Sequence, residues 1–370
     1  MVTLQVTGET ETEPAMSEPK HHPTEPQIVE LMEPQTHAVT VYHQFEIIEW
    51  RDKWVTMTAA LIRHTATEAG WDHHVRQQLV ELFLTETTGV RLTKPNLAVF
   101  ITPEKVHLYN TYSRFTPTTH AGQYFDLLQL FRTITNPRDG FTVTVSLDGW
   151  DVWRFNGPDA PTLLELDKQD VPDFSSFTAT SVTKHINQRS PHDLRSEHIR
   201  RYGKKIADIL KPVINQKPTI IIGDKEIVYE TTNHLPAQNL WVVDKNPSTV
   251  DVEETSNLYW DTVHQEQIGK ELDVVYSRTG EGLTVTDLAN LGQAAKNGAV
   301  DNLYVDISFN PTGAYNPETG ELSYEGEEPL MTKIIHNVIN NGGIVHVVRD
   351  TEISNPNWNN QFIATRRWSY

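Results

Sequence analysis

The residues best suited to chemistry lie between Lys184 and Lys205, where the chain reads KHINQRSPHDLRSEHIRRYGKK. Lys184, Arg189, Arg195, Arg200, Arg201, Lys204 and Lys205 face only two acids there, Asp193 and Glu197, in a protein whose formal net charge is −18. Ser190, Pro191 and Asp193 form a helix start: a hydroxyl that can accept from an early amide, a proline with no amide to lose, and an acid near the positive end of the helix dipole. Beyond it Leu194, His198, Tyr202, Ile206 and Ile209 recur every three or four residues, which predicts one buried stripe. The arginines and lysines fall largely off that stripe. Arg200/Lys204 and Arg201/Lys205 are like-charge pairs at i,i+4, each costing an isolated helix about 0.2–0.5 kcal/mol. Such a segment is suited to an anionic partner, and phosphate is the usual one. The competing reading is that these charges meet acidic surface elsewhere on the same chain.

Other chemistries have less support. His185, His192 and His198 accompany Glu197, but no HExxH occurs and the spacing is wrong for a paired ligand set, so no metal is expected and His198 reads as a core residue. The nucleophile elbow GxSxG and the phosphate-cradling patterns GxxxxGK[ST] and GxGxxG are absent from the sequence, and no cofactor is expected. NNGG at 340–343 reads as a helix stop. Asp148, Asp151, Asp301 and Asp306 lie near strand ends and read as surface carboxylates. Trp50 and Trp54 flank Arg51 and Lys53, a pattern open to base stacking or to core packing. With no cysteine in 370 residues, disulfides, thiolate nucleophiles and cysteine metal sites are excluded.

These groups need elements to hold them. Residues 1–37 carry seven Glu, five Pro and no aromatic residue. They read as a disordered acidic tail, within which QIVELM could form a short helix. AVTVYH (38–43), NLAVFIT (96–102), KVHLYN (105–110), GFTVTVSL (140–147), DVWRFN (151–156) and TLLEL (162–166) read as strands, and 51–70 and 71–86 as helices. They imply a mixed α/β domain over 38–172. The polar, Pro-interrupted stretch 167–181 reads as a linker into a middle domain, 173–282. That domain holds the basic helix, strands at TIIIG (219–223) and EIVYET (226–231), and a long helix over 250–278. From 283 a helix capped by Thr284 or Thr286 and ended by Gly298, a strand LYVDISF, then a helix, Gly342 and a strand predict a small α/β domain to 370. The fold class is therefore three mixed α/β domains in series after the acidic tail. No apolar run approaches the ~18 residues of a membrane span. The amino terminus lacks the basic and apolar regions of a secretory signal, so a cytoplasmic location is expected.

The blocks NLAVFITPEKVHLYN, FDLLQLF, HIRRYGKKIADIL, KPTIIIGDKEIVYETTN, DLANLGQAAKNGAVDNLYVD and INNGGIVHVV, in this order, resemble the archaeo-eukaryotic peptide-chain release factor and Pelota superfamily, in its bacterial branch, over 38–370. The resemblance implies that the middle domain enters the peptidyl transferase centre of the ribosome. In release factors it does so with a Gly-Gly-Gln loop followed by a basic helix. The corresponding loop here is His185-Ile186-Asn187-Gln188-Arg189. It keeps the Gln but not the glycines, whose conformational freedom Ile186 and Asn187 lack. Asn187 and Gln188 can still hydrogen-bond ribosomal RNA, so the loop is expected to plug the centre without hydrolysing peptidyl-tRNA, and the protein is not expected to be an enzyme. Lys184, Arg189, Arg195, Arg200, Arg201, Lys204 and Lys205 would contact ribosomal RNA. The first domain would face the decoding centre, with His43, Gln44, Trp50 and Arg51 as candidate contacts. The implied partners are the ribosomal A site, with RNA of both subunits, and elongation factor Tu. The implied role is that of a monomeric factor holding the ribosome idle, a hibernation role. The alternatives are a release or rescue factor hydrolysing peptidyl-tRNA through Gln188, and an RNA-binding module unconnected with hibernation.

Overall fold

The computed structural model describes residues 19–20, 22–45, 53–135, 138–157, 161–168, 171–181, 191–236, 238–359 and 361–368. The chain divides into two compact units, Met1–Phe125 and Asp126–Tyr370.

The first unit is built on α1 (Glu25–Met32), β1 (Ala38–Gln44), α2 (Trp54–Glu68), α3 (His73–Glu86), β2 (Asn96–Ile101), β3 (Val106–Thr111) and β4 (Thr118–Gly122). Its antiparallel sheet has the order β3-β2-β1-β4. β1 and β2 are buried at nearly every position because both faces of the sheet are covered. Val39, Val41, Leu97, Val99 and Ile101 meet Trp54, Ile62, Leu79 and Phe83 of the two long helices. On the alternate positions Tyr42 and Phe100 join Tyr109, Phe115 and Phe125 in an aromatic cluster. Asp72 caps α3 by accepting from the Val75 amide at 3.0 Å. The expected disordered tail needs correction at its end. Residues 1–18 lie outside the described residues, but α1 forms, Leu31 is buried and Glu30 pairs with Lys105. The short helix that QIVELM could form is this α1, and Leu31 is its buried anchor.

Among the described residues the second unit contains two larger sheets and a two-stranded hairpin sheet. α4 (Leu128–Thr135), β5 (Gly140–Ser146), β6 (Gly149–Phe155), β7 (Thr162–Leu163), α5 (Phe174–Ser181), α6 (Pro191–Ile214), β8 (Thr219–Gly223), α7 (Lys225–Thr232), β9 (Leu240–Asp244) and α8 (Val252–Ser277) come first. The sheet order is β7-β6-β5-β8-β9. β5 and β6 form an antiparallel hairpin, whereas β5, β8 and β9 run parallel. Parallel neighbours need crossover connections, which α6 and α7 supply. Val143, Val145 and Ile221 pack on α6 through Ile199, Tyr202, Ile206 and Leu210. The alternate residues Ile220 and Ile222 pack on the other face against Trp260 and Val263 of α8.

Three expectations are corrected here. Strands 140–147 and 151–156 pair with 219–223 and not with the amino-terminal sheet, so the boundary expected near 172 moves to Phe125/Asp126. The expected linker contains α5, whose Phe174 and Phe177 lie 5.7 and 5.6 Å from the Tyr202 ring. EIVYET is helical, not extended: Ile227, Val228 and Thr231 are its buried face, and the crossover between β8 and β9 overrides β-branched propensity.

The second sheet follows β10 (Thr284–Val285), α9 (Leu288–Lys296), β11 (Val300–Asp306), a β12–β13 hairpin (Thr312–Tyr315, Leu322–Pro329), α10 (Leu330–Asn340), β14 (Ile344–Val348) and β15 (Phe362–Arg366). Its order is β10-β15-β11-β14, with β11 and β14 parallel across α10. Asp287 caps α9, accepting from the Asn290 amide at 2.9 Å, in place of the threonines expected there. Gly298 and Gly342 end the two helices in the left-handed region, at φ 62° and 75°. α8 serves both sheets: Trp260 and Val263 meet the first, and Ile268, Leu272 and Val275 meet Tyr304, Val348 and Ile363 of the second. The expected boundary at 282/283 therefore falls inside one compact unit.

Candidate nucleic-acid interface

α6 presents the basic segment on a helix anchored along its opposite side. The buried stripe is Ile199, Tyr202, Ile206, Ala207 and Leu210, with Leu194, His198 and Ile209 half-buried at its margin. This is the predicted stripe turned slightly, with Ile199 and not His198 at its centre. Gly203 lets α7 approach, since a Cβ there would stand 2.9 Å from Glu230 carbon atoms. The burial fixes which side chains look outward: Arg195, Arg200, Arg201, Lys204 and Lys205 are all exposed. Lys184, His185, Ile186, Asn187, Gln188 and Arg189 lie outside the described residues.

The exposed cations divide into two groups. The Glu197 carboxylate accepts from Arg200 Nε and Nη2 at 3.1 and 2.9 Å, and from Arg201 Nε at 2.8 Å. Hydrogen bonding from Arg200 is the largest influence on the Glu197 carboxyl; burial opposes it, and with the further bond from Arg201 and both guanidinium charges the carboxyl is held down to about 2. Arg195 Nη1 donates to both oxygens of Glu226 on α7, at 3.2 and 3.0 Å. Lys204 and Lys205 have no hydrogen-bond or ion-pair partner among the described residues. The competing reading of the basic segment is met for the arginines, which reach carboxylates of the same chain, whereas the two lysines have no such partner among the described residues. Exposed ion pairs contribute only about 0–1 kcal/mol each, so the arginines also remain available to a stronger competitor.

The candidates in the first unit are less coherent. His43 and Gln44 end β1 opposite Leu97 and Asn96 and are half-buried, and burial lowers the His43 pKa. The His43 ring lies 4.3 Å from that of Phe45. Trp50 and Arg51 lie outside the described residues. Trp54 is buried edge-on against Phe83 at 5.8 Å, which makes it a core residue and not a base-stacking one. The expected surface role of Asp306 is also corrected. It is 2 % exposed and accepts from the Ser308 amide at 2.8 Å, closing the turn after β11.

Sequence reasoning missed a buried charge network in the second unit. Arg132 on α4 donates to the Val347 carbonyl at 2.7 Å and to both oxygens of Glu352 at 2.9 and 2.6 Å, with Asp261 of α8 at 3.6 Å. The one signal was an arginine inside the apolar run LQLFRTIT. This network fastens α4, α8 and the second sheet together. A groove of about 930 Å³ beside it is lined by Lys270, Arg278 and Arg366 but also by Glu271 and Asp301, and lacks the one-signed character of α6. Among the described residues no His/Asp/Glu group could hold a metal ion, and no helix is long and apolar enough to cross a membrane.

No protein-family model matches the chain, and no curated protein matches it. Solved structures do. Archaeal Pelota, in a model of ribosome-bound Pelota and ABCE1, is 11% identical over 94% of this chain and 95% of that one, with a TM-score of 0.38. Archaeoglobus fulgidus Pelota is 11% identical over 74% and 79%, at 0.34. The archaeal translation termination factor aRF1 is 10% identical over 93% and 96%, at 0.24. At these scores the matches state a likeness and carry no conclusion about family or function.

Proposed function

We propose that the chain is a ribosome-binding translation factor of the release-factor and Pelota type, in its bacterial branch, which occupies the A site and holds the ribosome idle. The observation that carries this reading is the exposed basic face of α6 on a protein of net charge −18. An acidic protein that concentrates positive charge on one limb can send that limb alone into an RNA-walled channel, while its remaining surface stays repelled by phosphate. The sequence resemblance supplies the direction: the loop before α6 stands where release factors carry Gly-Gly-Gln. Among such factors the chain resembles the ribosome hibernation factor Balon. In this reading α6 and its loop lie near the peptidyl transferase centre, the first unit lies near the decoding centre, elongation factor Tu is a partner, and the protein acts as a cytoplasmic monomer.

The departure from Gly-Gly-Gln favours blocking over hydrolysis, because Ile186 and Asn187 cannot take the glycine-only backbone conformations. Bacterial ribosomes carrying peptidyl-tRNA test this. With the protein in excess, the ester should persist at the background rate while aminoacyl-tRNA binding to the A site falls. Ester cleavage that disappears in Gln188→Ala would make the protein a rescue hydrolase instead. RNA binding without competition against A-site tRNA would make it a general RNA-binding module.

A further inference from the structure

We propose that Glu197 and Glu226 compete with phosphate for the arginines of α6, and so restrict this surface to folded RNA that brings several phosphates together. The inference rests on the RNA-binding reading above and adds a ligand class to it.

The geometry supplies the argument. Glu197 lies three and four residues before its two partners, so the helix itself places the carboxylate between Arg200 and Arg201. Glu226 reaches Arg195 from the neighbouring helix α7. One turn beyond the Glu197 group, Lys204 and Lys205 stand without a partner among the described residues. An arriving anion therefore meets a graded surface. A lone phosphate, or one strand with widely spaced phosphates, is served by the two lysines and repelled by two carboxylates. A folded RNA whose backbones converge presents enough charge to draw Arg195, Arg200 and Arg201 off their acids. Each guanidinium keeps outward-facing donors for this exchange, because five N–H groups are present and at most two are engaged on a carboxylate. The bidentate preference of arginine for phosphate favours that outcome once phosphates are close. Weak exposed pairs give the right threshold, since each opposes a single phosphate by less than about fivefold in affinity and several phosphates overcome them together.

A purely structural role for Glu197 is to relieve repulsion along the helix. It would change stability and leave the response to RNA and salt alone. The test uses the full chain as wild type, E197Q, E226Q and the double variant K204S/K205S. Fluorescence anisotropy with labelled oligo(U) and with a folded tRNA transcript is followed across a potassium chloride series, and thermal melting checks that each variant is folded. E197Q should bind oligo(U) roughly fivefold more tightly and tRNA less than about twofold more tightly. Its logarithmic salt slope on oligo(U) should steepen by about 0.7, one additional cation being offered to the single strand. E226Q should move the same way by freeing Arg195. If E197Q and E226Q leave both RNAs unchanged, or weaken both, the acids only brace the fold and the inference is overturned. If they tighten both RNAs equally, the acids oppose phosphate without selecting folded RNA, which also overturns it. If wild type binds neither RNA, the RNA-binding reading itself fails, whereas if wild type binds and K204S/K205S binds both RNAs equally well, the lysines do not receive the anion and the graded surface is overturned.

Discussion

Replacing Glu352 with alanine will lower the stability of the second compact unit by about 3 kcal/mol in urea unfolding. The side chain of Arg132 is 3% exposed, and Glu352 is its only bidentate partner among the described residues. Glu352 also accepts from the Arg349 amide at 3.0 Å and from Arg349 Nη1 at 3.0 Å, so one carboxylate is shared by two cations. Without it a guanidinium stays in a low-dielectric site with, among the described residues, the Val347 carbonyl and the more distant Asp261, and desolvation is no longer offset. The loss is local before it is global. Arg132 joins α4 to the second sheet, and Asp261 joins the same group to α8, so the second sheet should open at lower urea than the first and split one transition into two. The pair Arg132→Met with Glu352→Leu should recover most of the stability, because matched apolar groups need no counter-charge. A loss below about 1 kcal/mol for Glu352→Ala would mean that water reaches Arg132 and that the network carries no weight.

Acid will weaken the same junction. His346 is 6 % exposed and stacks on Tyr304 at 4.8 Å, with its pKa lowered to about 4 by burial. His264, 3 % exposed and 6.4 Å away, is held well below the ordinary range by burial and then by the Arg132 charge. The groups facing them are Arg132, Arg349, Glu271 and the Tyr304 hydroxyl, which donates to Glu271 at 2.9 Å. Both histidines are neutral in the folded protein. Above about pH 6.5 they are neutral in the unfolded chain too, and the stability they permit is fully present. As pH falls from 6.5 towards 4, the unfolded chain binds protons that the folded one refuses, and stability drops. The shift of His346 alone corresponds to about 3 kcal/mol over that window. His346→Phe keeps a ring against Tyr304 and should flatten the slope of unfolding free energy between pH 6.5 and 4. An unchanged slope would show that His346 does not govern the acid response.

Much of this fold was legible in the sequence because its signals were local. TIIIG, NLAVFI and FTVTV are β-branched or apolar runs that suit covered strands, and the stripe through Tyr202 and Ile206 is helical at a glance. What escaped depended on partners distant in the chain. The pairing of β5 with β8 passes across the whole of α6, so a polar Pro-containing stretch at 167–181 looked like a domain boundary. EIVYET has the residues of a strand, and only the need for a crossover between β8 and β9 makes it a helix. That error hid Glu226, which must be helical to stand beside Arg195. Glu197, by contrast, was readable from its spacing alone. Arg132 and Glu352 are 220 residues apart, and no local pattern joins them.

The proposed function turns on whether the basic face of α6 is what holds the chain on the ribosome. Co-sedimentation with purified bacterial ribosomes across a salt series tests it, comparing wild type with a variant in which Arg195, Arg200, Arg201, Lys204 and Lys205 are all serine. These positions are exposed, so the variant should fold. Wild type should pellet with ribosomes and be released as salt rises. The variant should lose affinity by roughly a hundredfold or more, with a logarithmic salt slope shallower by about 2 to 4, since two of the five charges are unpartnered among the described residues and three are shared with carboxylates. Equal pelleting of the two proteins would contradict the claim, as would a wild type that stays in the supernatant even with elongation factor Tu present.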